Sequence, residues 1–445
     1  MSATSYDDEP STAERLNVRA DTDARGNTTR TFSDGMGRVV RVEDPPVNGV
    51  TYRQHARFDA RVKRLDVDKK GYVTRYRYDA VYRLDEQVEE DTTGTPRWTQ
   101  TWAFNDDART VTQFDRSGIR TVATADGLGR VVETRRGTSP VQVVKTVFDA
   151  DGRQVENEDA NQHKTRRVFD GAGRLVREAK GLVAACGTTC ADREESVFTH
   201  DGVGNVLTVK SRRVTGSPWD VRSTYDGLNR EVRTETPPRI GVATSDVTSK
   251  AYDAAGNLLC VRRPQAGGHQ VHGWAAGKTV DEVAAVACGA PGAQPFVTKY
   301  TWDEVGKQTS VQDGNGSTWA FRYDAARNLV AKLDANQHLT TYGYDARNQR
   351  VVELQHLANG QTLPPRSAAI PYANHNTAFT SGTLRTQWTY DGNGQLEDEV
   401  DAKGQLTHHE YGVLKRLERV VYSGHVAPRA LPSMDSVTYT YRGEG

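Results

Sequence analysis

Asp, Asn, Cys and His are the residues of this 445-residue sequence whose types and spacing suggest chemistry. Asp313-Gly-Asn-Gly-Ser, Asp159-Ala-Asn and Asp334-Ala-Asn match the opening positions of a calcium loop, and Asp324, Asp170 and Asp345 follow eleven residues later. Such a loop also needs a mid-loop glycine and a bidentate Glu at its end. Both are missing here, and the same Asp residues suit the start of a turn. Cysteines stand at Cys186, Cys190, Cys260 and Cys288, in spacings C-x3-C and C-x27-C. Structural zinc usually takes two tight Cys pairs, and only one is tight. Disulfides Cys186–Cys190 and Cys260–Cys288 would each clip a stretch of irregular sequence and suit an oxidising destination. Zinc and free thiols stay open as alternatives. His269-x-x-His272 and His408-His409 are isolated, and no G-x-S-x-G elbow accompanies them. Gly35-Met-Gly37, Gly171-Ala-Gly173 and Gly202-Val-Gly204 lack the strand–helix context of a phosphate loop. The expectation is a protein that is not an enzyme, with no cofactor and no metal.

The Asp residues belong to a repeat. Trp302-Asp303, Tyr323-Asp324 and Tyr344-Asp345 follow one another at 21-residue steps. The pair recurs as Phe58-Asp59, Tyr78-Asp79, Phe148-Asp149, Phe169-Asp170, Tyr225-Asp226, Tyr252-Asp253 and Tyr390-Asp391. Phe104-Asn105, Ala125-Asp126 and Tyr411-Gly412 are degenerate copies. A fixed period of this size marks a repeat architecture. Within a unit, β-forming residues alternate up to the aromatic, as in Thr74-Arg-Tyr-Arg-Tyr78, which predicts a strand. Asp then opens a turn by accepting from the backbone N–H two residues on. A Gly or Asn close behind, such as Gly152, Gly306, Asn229 or Asn328, marks that turn; four residues after the aromatic it suits a left-handed backbone. A second strand and a second Asp-led turn complete the unit. Each unit is thus a β-hairpin, and equivalent aromatics two strands apart fall about 9.6 Å from each other. That spacing predicts an aromatic ladder across the sheet. Its rings serve either as register-setting cross-strand packing or as stacking platforms for sugars.

Basic and acidic residues balance at 58 each, which argues against nucleic acid or an anionic membrane as partner. The hydrophobic fraction is 36% and the mean hydropathy −0.70, values that fit a broad wet sheet better than a thick core. No apolar run is long enough for a membrane span. MSATSYDDEPSTAERL has neither the basic nor the apolar region of a signal peptide, so any export signal is expected elsewhere on a longer polypeptide. The expected organisation is a lead-in over residues 1–20 and a repeat domain over 21–442. Insertions break the period at about 180–197, 260–298 and 357–387. Thr279-Val-Asp-Glu282 reads as a capping box before a short helix, Val283–Ala287.

The pattern Tyr-Asp-x-x-Gly-Arg/Asn-Leu, followed by a second Asp turn, a Thr and the next Tyr, resembles the YD repeat. That repeat occurs in bacterial Rhs proteins, the C components of insecticidal toxin complexes, and animal teneurins. The resemblance covers about residues 20–442. It implies an all-β fold: tandem hairpins in one long antiparallel sheet that spirals into a hollow shell, or an open curved segment of one. In the bacterial families the shell encloses a C-terminal toxin domain and delivers it to another cell; in teneurins it is an adhesion scaffold. The resemblance therefore implies a non-enzymatic shell section, secreted or at the cell surface. Its partners would be a toxin domain in cis, outside these residues, and secretion machinery or a surface receptor or glycan. A carbohydrate-binding or adhesion module is the alternative. One departure is clear: no DPxG-type motif closes the array, and Asp44-Pro-Pro-Val-Asn-Gly does not match it.

Overall fold

The computed structural model describes residues 16–59, 61–182, 194–213, 219–237, 245–263, 288, 296–358, 360–364, 382–423 and 436–439. Among these residues the regular elements are 32 strands, joined in one antiparallel sheet. Pairing follows chain order. Gln142–Phe148 pairs with Gln154–Glu158, that strand with Lys164–Phe169, and that in turn with Leu175–Leu182. Consecutive antiparallel strands need only short turns, which the Asp-led tetrapeptides supply. The all-β hairpin array read from the period is the fold found.

Nine of the ten pair aromatics sit at a bulge. Val147 faces Glu156 but Phe148 faces Gln154, leaving Val155 as an extra residue. The same shift occurs at Phe58, Tyr78, Phe169, Tyr225, Tyr252, Trp302, Tyr344 and Tyr390. A turn followed by one left-handed residue produces this bulge and raises the local twist. The left-handed residue is the third after Asp: Gly152 at φ 83° and Asn229 at φ 61° are examples. In the Tyr323 unit Arg327 takes the left-handed position, at φ 70°. Asn328, which follows it, binds Asp324 Oδ2 through its side chain at 3.0 Å.

Two compact units are present. One comprises residues 1–104, 112–120 and 321–445; the other comprises 105–111 and 121–320. In the first, Asn17–Thr22 pairs with Thr28–Ser33, and Ser436–Thr438 with Leu417–Ser423. In the second, Ala251, Cys260 and Val297 form a small buried cluster with Cys288 against it. A Cys260–Cys288 disulfide, Cα–Cα 5.6 Å, ties this cluster together. Strands reach into every range expected as insertion or lead-in. Asn17–Thr22 starts inside 1–20; Leu175–Leu182 and Glu194–His200 flank a gap shorter than 180–197. Leu258–Arg262 and Val297–Trp302 trim 260–298, and Thr383–Tyr390 trims 357–387. Cys186, Cys190 and the expected helix Val283–Ala287 lie outside the described residues. Among the described residues, no helix is long and apolar enough to cross a membrane.

Candidate functional site

The repeat's Asp is a clasp. Asp149 Oδ1 accepts N–H bonds from Asp151 at 3.0 Å and Arg153 at 2.9 Å, and Arg153 Nε donates to Oδ2 at 2.7 Å. Asp79, Asp170 and Asp226 are held in the same way by Arg83, Arg174 and Arg230. Asp253 and Asp324 use Asn257 and Asn328 in place of Arg. Asp303 accepts from Val305 and Lys307 N–H, and Asp345 from Arg347 and Gln349 N–H. These donors favour the ionised carboxylate. The N–H groups of Val62 and Arg61 pull Asp59 down to about 2. Arg153 N–H lowers Asp149, and Arg174 N–H lowers Asp170.

The clasp reaches forward to the next unit. Arg38 donates to Asp59 O at 2.8 Å and lies over the Phe58 ring at 4.7 Å. Arg130 treats Asp149 and Phe148 likewise, and Arg230 treats Asp253 and Tyr252. Arg153 covers Phe169 at 5.2 Å, and Arg64 covers Tyr78 at 5.4 Å. At these steps a guanidinium covers the ring of the following unit. Rings two strands apart, at about 9.6 Å, do not touch, and the planar cation over each ring adds cation–π attraction. Where the ring carries a polar tip, that tip binds the preceding unit. Tyr225 OH donates to Val206 O, Tyr252 OH to Glu231 O, Tyr344 OH to Leu329 O, Tyr390 OH to Arg350 O, and Trp302 Nε1 to Leu258 O, at 2.7 to 3.2 Å.

A second arrangement lies wholly within the first unit and joins hairpins far apart in sequence. Arg25, 320 residues from Asp345, donates to Asp345 O, Asn348 Oδ1 and Tyr344 O, each at 3.0 Å. Lys70 Nζ lies 3.1 Å from Asp391 Oδ2, and Asn393 Nδ2 donates to Asp68 Oδ2 at 2.7 Å. Tyr72 OH donates to Tyr411 O at 3.2 Å. At the centre is Arg347, with its side chain 9% exposed. It donates to Asp391 O and Gly392 O, pairs with Asp345, and stacks on Tyr52 at 4.7 Å. Gly392 approaches so closely that a Cβ there would lie 2.8 Å from Lys69 O. Early turns thus dock on late turns along a seam.

Of the aromatic–Asp pairs, the seam engages Tyr344-Asp345 and Asp391 directly, and Arg25 also lies 3.9 Å from Asp324 Oδ2. Arg25, Lys70, Arg347 and Asn393 were missed as functional residues. All four sit two residues after a turn Asp. Elsewhere that position holds exposed apolar residues such as Met36 and Leu128 and exposed polar ones such as Asp151, Asn161 and Lys403, so residue type alone does not single out the seam. Among the described residues, no group of three His, Cys, Asp or Glu is placed to hold a metal.

Comparison with known proteins follows the same line. Residues 302–337 match the family model of the RHS repeat. Two curated proteins of Dickeya dadantii (strain 3937), "Probable deoxyribonuclease RhsB" and "Probable deoxyribonuclease RhsA", are each 25% identical over 181 residues. The alignment takes in 39% of this chain and 11% of each relative, so the chain matches only about a tenth of their length. The crystal structure of TcdB2-TccC3-TEV shares the fold, with a TM-score of 0.53 at 13% identity, over 96% of this chain and 24% of that one.

Proposed function

From the premise that this chain is an Rhs-type YD-repeat protein, we propose that it forms part of a wall that encloses a toxin domain carried in cis. The wall keeps that domain from the producing cell and helps deliver it, and we place its site of action outside that cell or at its surface. The seam is the observation that carries the reading. A lone sheet of hairpins leaves its turns free, whereas in the first unit turns dock on turns 320 residues away. Repeat proteins otherwise contact only their neighbours, so such a long-range seam is a feature that enclosure requires and a simple spacer does not. The nuclease activity in the relatives' names belongs to those proteins, and we assign no reaction to this stretch.

The test uses the full-length polypeptide with its downstream domain in place. Gly392→Val drives a side chain into the Lys69 backbone and opens the seam. Limited proteolysis then compares it with the parent. The downstream domain resists digestion in the parent and is cut in the variant. Equal digestion of that domain in both proteins sinks the enclosure reading.

A further inference from the structure

An asparagine followed by glycine is the step of a chain most prone to lose its side-chain amide, because a glycine nitrogen with no β-carbon beside it reaches the asparagine Cγ with little hindrance. The sequence has such steps at Asn48, Asn315, Asn359 and Asn393. Two of them share one tetrapeptide, Asp313-Gly-Asn-Gly316 and Asp391-Gly-Asn-Gly394. Their turns are also alike. Gly316 N–H donates to Asp313 O at 3.1 Å and Gly394 N–H to Asp391 O at 3.0 Å. Both glycines are left-handed, at φ 91° and 83°. What differs is the surroundings. Asn315 is exposed. Asn393 lies in the seam, where its Nδ2 donates to Asp68 Oδ2 at 2.7 Å across 325 residues.

The place is badly suited to a negative charge on residue 393. Asn393 and Gly394 line a cleft of about 630 Å³ whose walls carry the carboxylates of Asp21, Asp23 and Asp44 and the cations of Lys69 and Arg347. Both cations are engaged. Lys69 Nζ holds Asp44 Oδ2 at 2.6 Å, and Arg347 holds Asp345, Asp391 O and Gly392 O. Asp68 is fixed in its own turn, where Oδ1 accepts from Lys70 and Tyr72 N–H at 2.9 and 3.0 Å, so its Oδ2 cannot swing away without loosening that turn. A polar cleft of this size also holds water, the reagent that hydrolysis needs.

We propose that Asn393 is a deamidation site and that its conversion opens the seam irreversibly. The Gly394 nitrogen attacks Asn393 Cγ, the new C–N bond closes a succinimide ring, and the Cγ–Nδ2 bond breaks to release ammonia, which takes up the Gly394 amide proton. Water then opens the ring at either carbonyl, leaving aspartate or isoaspartate. One water enters and one ammonia leaves; nothing is oxidised or reduced. Either product removes the donor that Asp68 used and sets a carboxylate against a carboxylate, an opposition that destabilises. Isoaspartate also lengthens the main chain inside a turn whose hydrogen bond depends on residue count. The seam gates the reaction. While Gly394 N–H is held by Asp391 O its nitrogen is turned away from Cγ, so attack waits for the turn to open. The proposal needs only the seam of the first unit and is independent of the wall reading.

The test incubates the intact protein at mildly alkaline pH and follows amide-to-acid conversion and isoaspartate at Asn315 and Asn393 by peptide mapping. Asn315, with the same tetrapeptide, serves as the internal reference. It converts at least about tenfold faster than Asn393, whose reaction waits for local opening. Arg347→Ala loosens the seam, leaves the tetrapeptide intact, and brings the rate at Asn393 to within about threefold of that at Asn315. Asn393→Asp lowers the melting temperature and speeds hydrogen exchange in turn 68–72, whereas Asn315→Asp leaves that turn unchanged. Combining Asn393→Asp with Asp68→Asn restores both, because the amide then donates from the other side. Equal rates at the two asparagines in the parent overturn the proposal, and that comparison needs no variant to fold. So does a rate at Asn393 that Arg347→Ala leaves unchanged, an Asn393→Asp protein that melts and exchanges like the parent, or a double variant no better than Asn393→Asp alone.

Discussion

Replacing Arg347 by Ala tests whether the seam holds the first unit together. The wild-type guanidinium is 9% exposed and its partner Asp345 6% exposed, so neither is well hydrated once separated. Three losses coincide. Two charge-assisted bonds to Asp391 O and Gly392 O disappear, each worth about 1.5–3 kcal/mol. The stack on Tyr52 contributes about 0.5–2 kcal/mol. Asp345 is left as a buried charge without its ion pair, and breaking such a pair typically costs about 3–5 kcal/mol. These figures describe overlapping contacts and do not add; the expected total is about 3–5 kcal/mol. For a unit of this size, each kcal/mol moves the melting temperature about 2–4 °C, so the first transition should fall by roughly 10 °C. Hydrogen exchange should accelerate in the facing turns 44–52, 68–72 and 391–395 and stay unchanged in turns such as 149–152. Arg347→Lys keeps the charge but loses the planar stack and the fork, and should recover less than half of the loss. A Tyr52→Ala cycle should show coupling of about 0.5–2 kcal/mol. The reasoning fails if Arg347→Ala destabilises no more than Arg153→Ala, a clasp arginine whose exchange footprint stays within its own and the adjoining hairpin.

Gly412 stands where the repeat has Asp, and a Cβ built there would collide with Glu418 Oε1, so the Glu418 carboxylate occupies the missing side chain's space. Gly412→Asp alone should lower the melting temperature, and adding Glu418→Ala should restore it; a double variant no better than the single one refutes the substitution of one carboxylate for the other. The turn carboxylates set the acid limit. Asp59 falls from 3.8 to about 2 in the fold, so its contribution is present above pH ~4 and is lost as pH drops through about 2. The same sign holds for Asp79, Asp149 and Asp170, all lowered chiefly by backbone N–H donors. Far-ultraviolet dichroism should therefore show an acid transition between pH 4 and 2 that 1 M salt barely shifts; a transition that salt moves strongly would assign the effect to ion pairs.

The array was legible in the sequence because every step of it is local. Asp149 through Arg153 contains its own turn, its own left-handed glycine and its own clasp, and the next unit repeats them. The hairpins, the all-β class and the resemblance to YD-repeat proteins all follow from that. The placement of arginine over the next unit's ring was half-visible. Arg38, Arg130 and Arg230 stand at a fixed distance after Asp, but their targets lie 19 to 23 residues on and depend on the register, which the bulges set.

The seam was not legible at all, because no period connects Arg25 to Asp345. Turn tips that face solvent are of both kinds: Met36, Val81, Leu128 and Val203 are apolar, Arg61, Asp151, Asn161, Asn336 and Lys403 polar. The tips at the seam are Arg25, Lys70, Arg347 and Asn393. A tip that docks on another turn meets backbone carbonyls and Asp carboxylates, both acceptors, and only a donor side chain satisfies them. An apolar tip there would bury those acceptors unpaired, so docking demands a donor at these four positions, but a polar tip does not by itself announce docking.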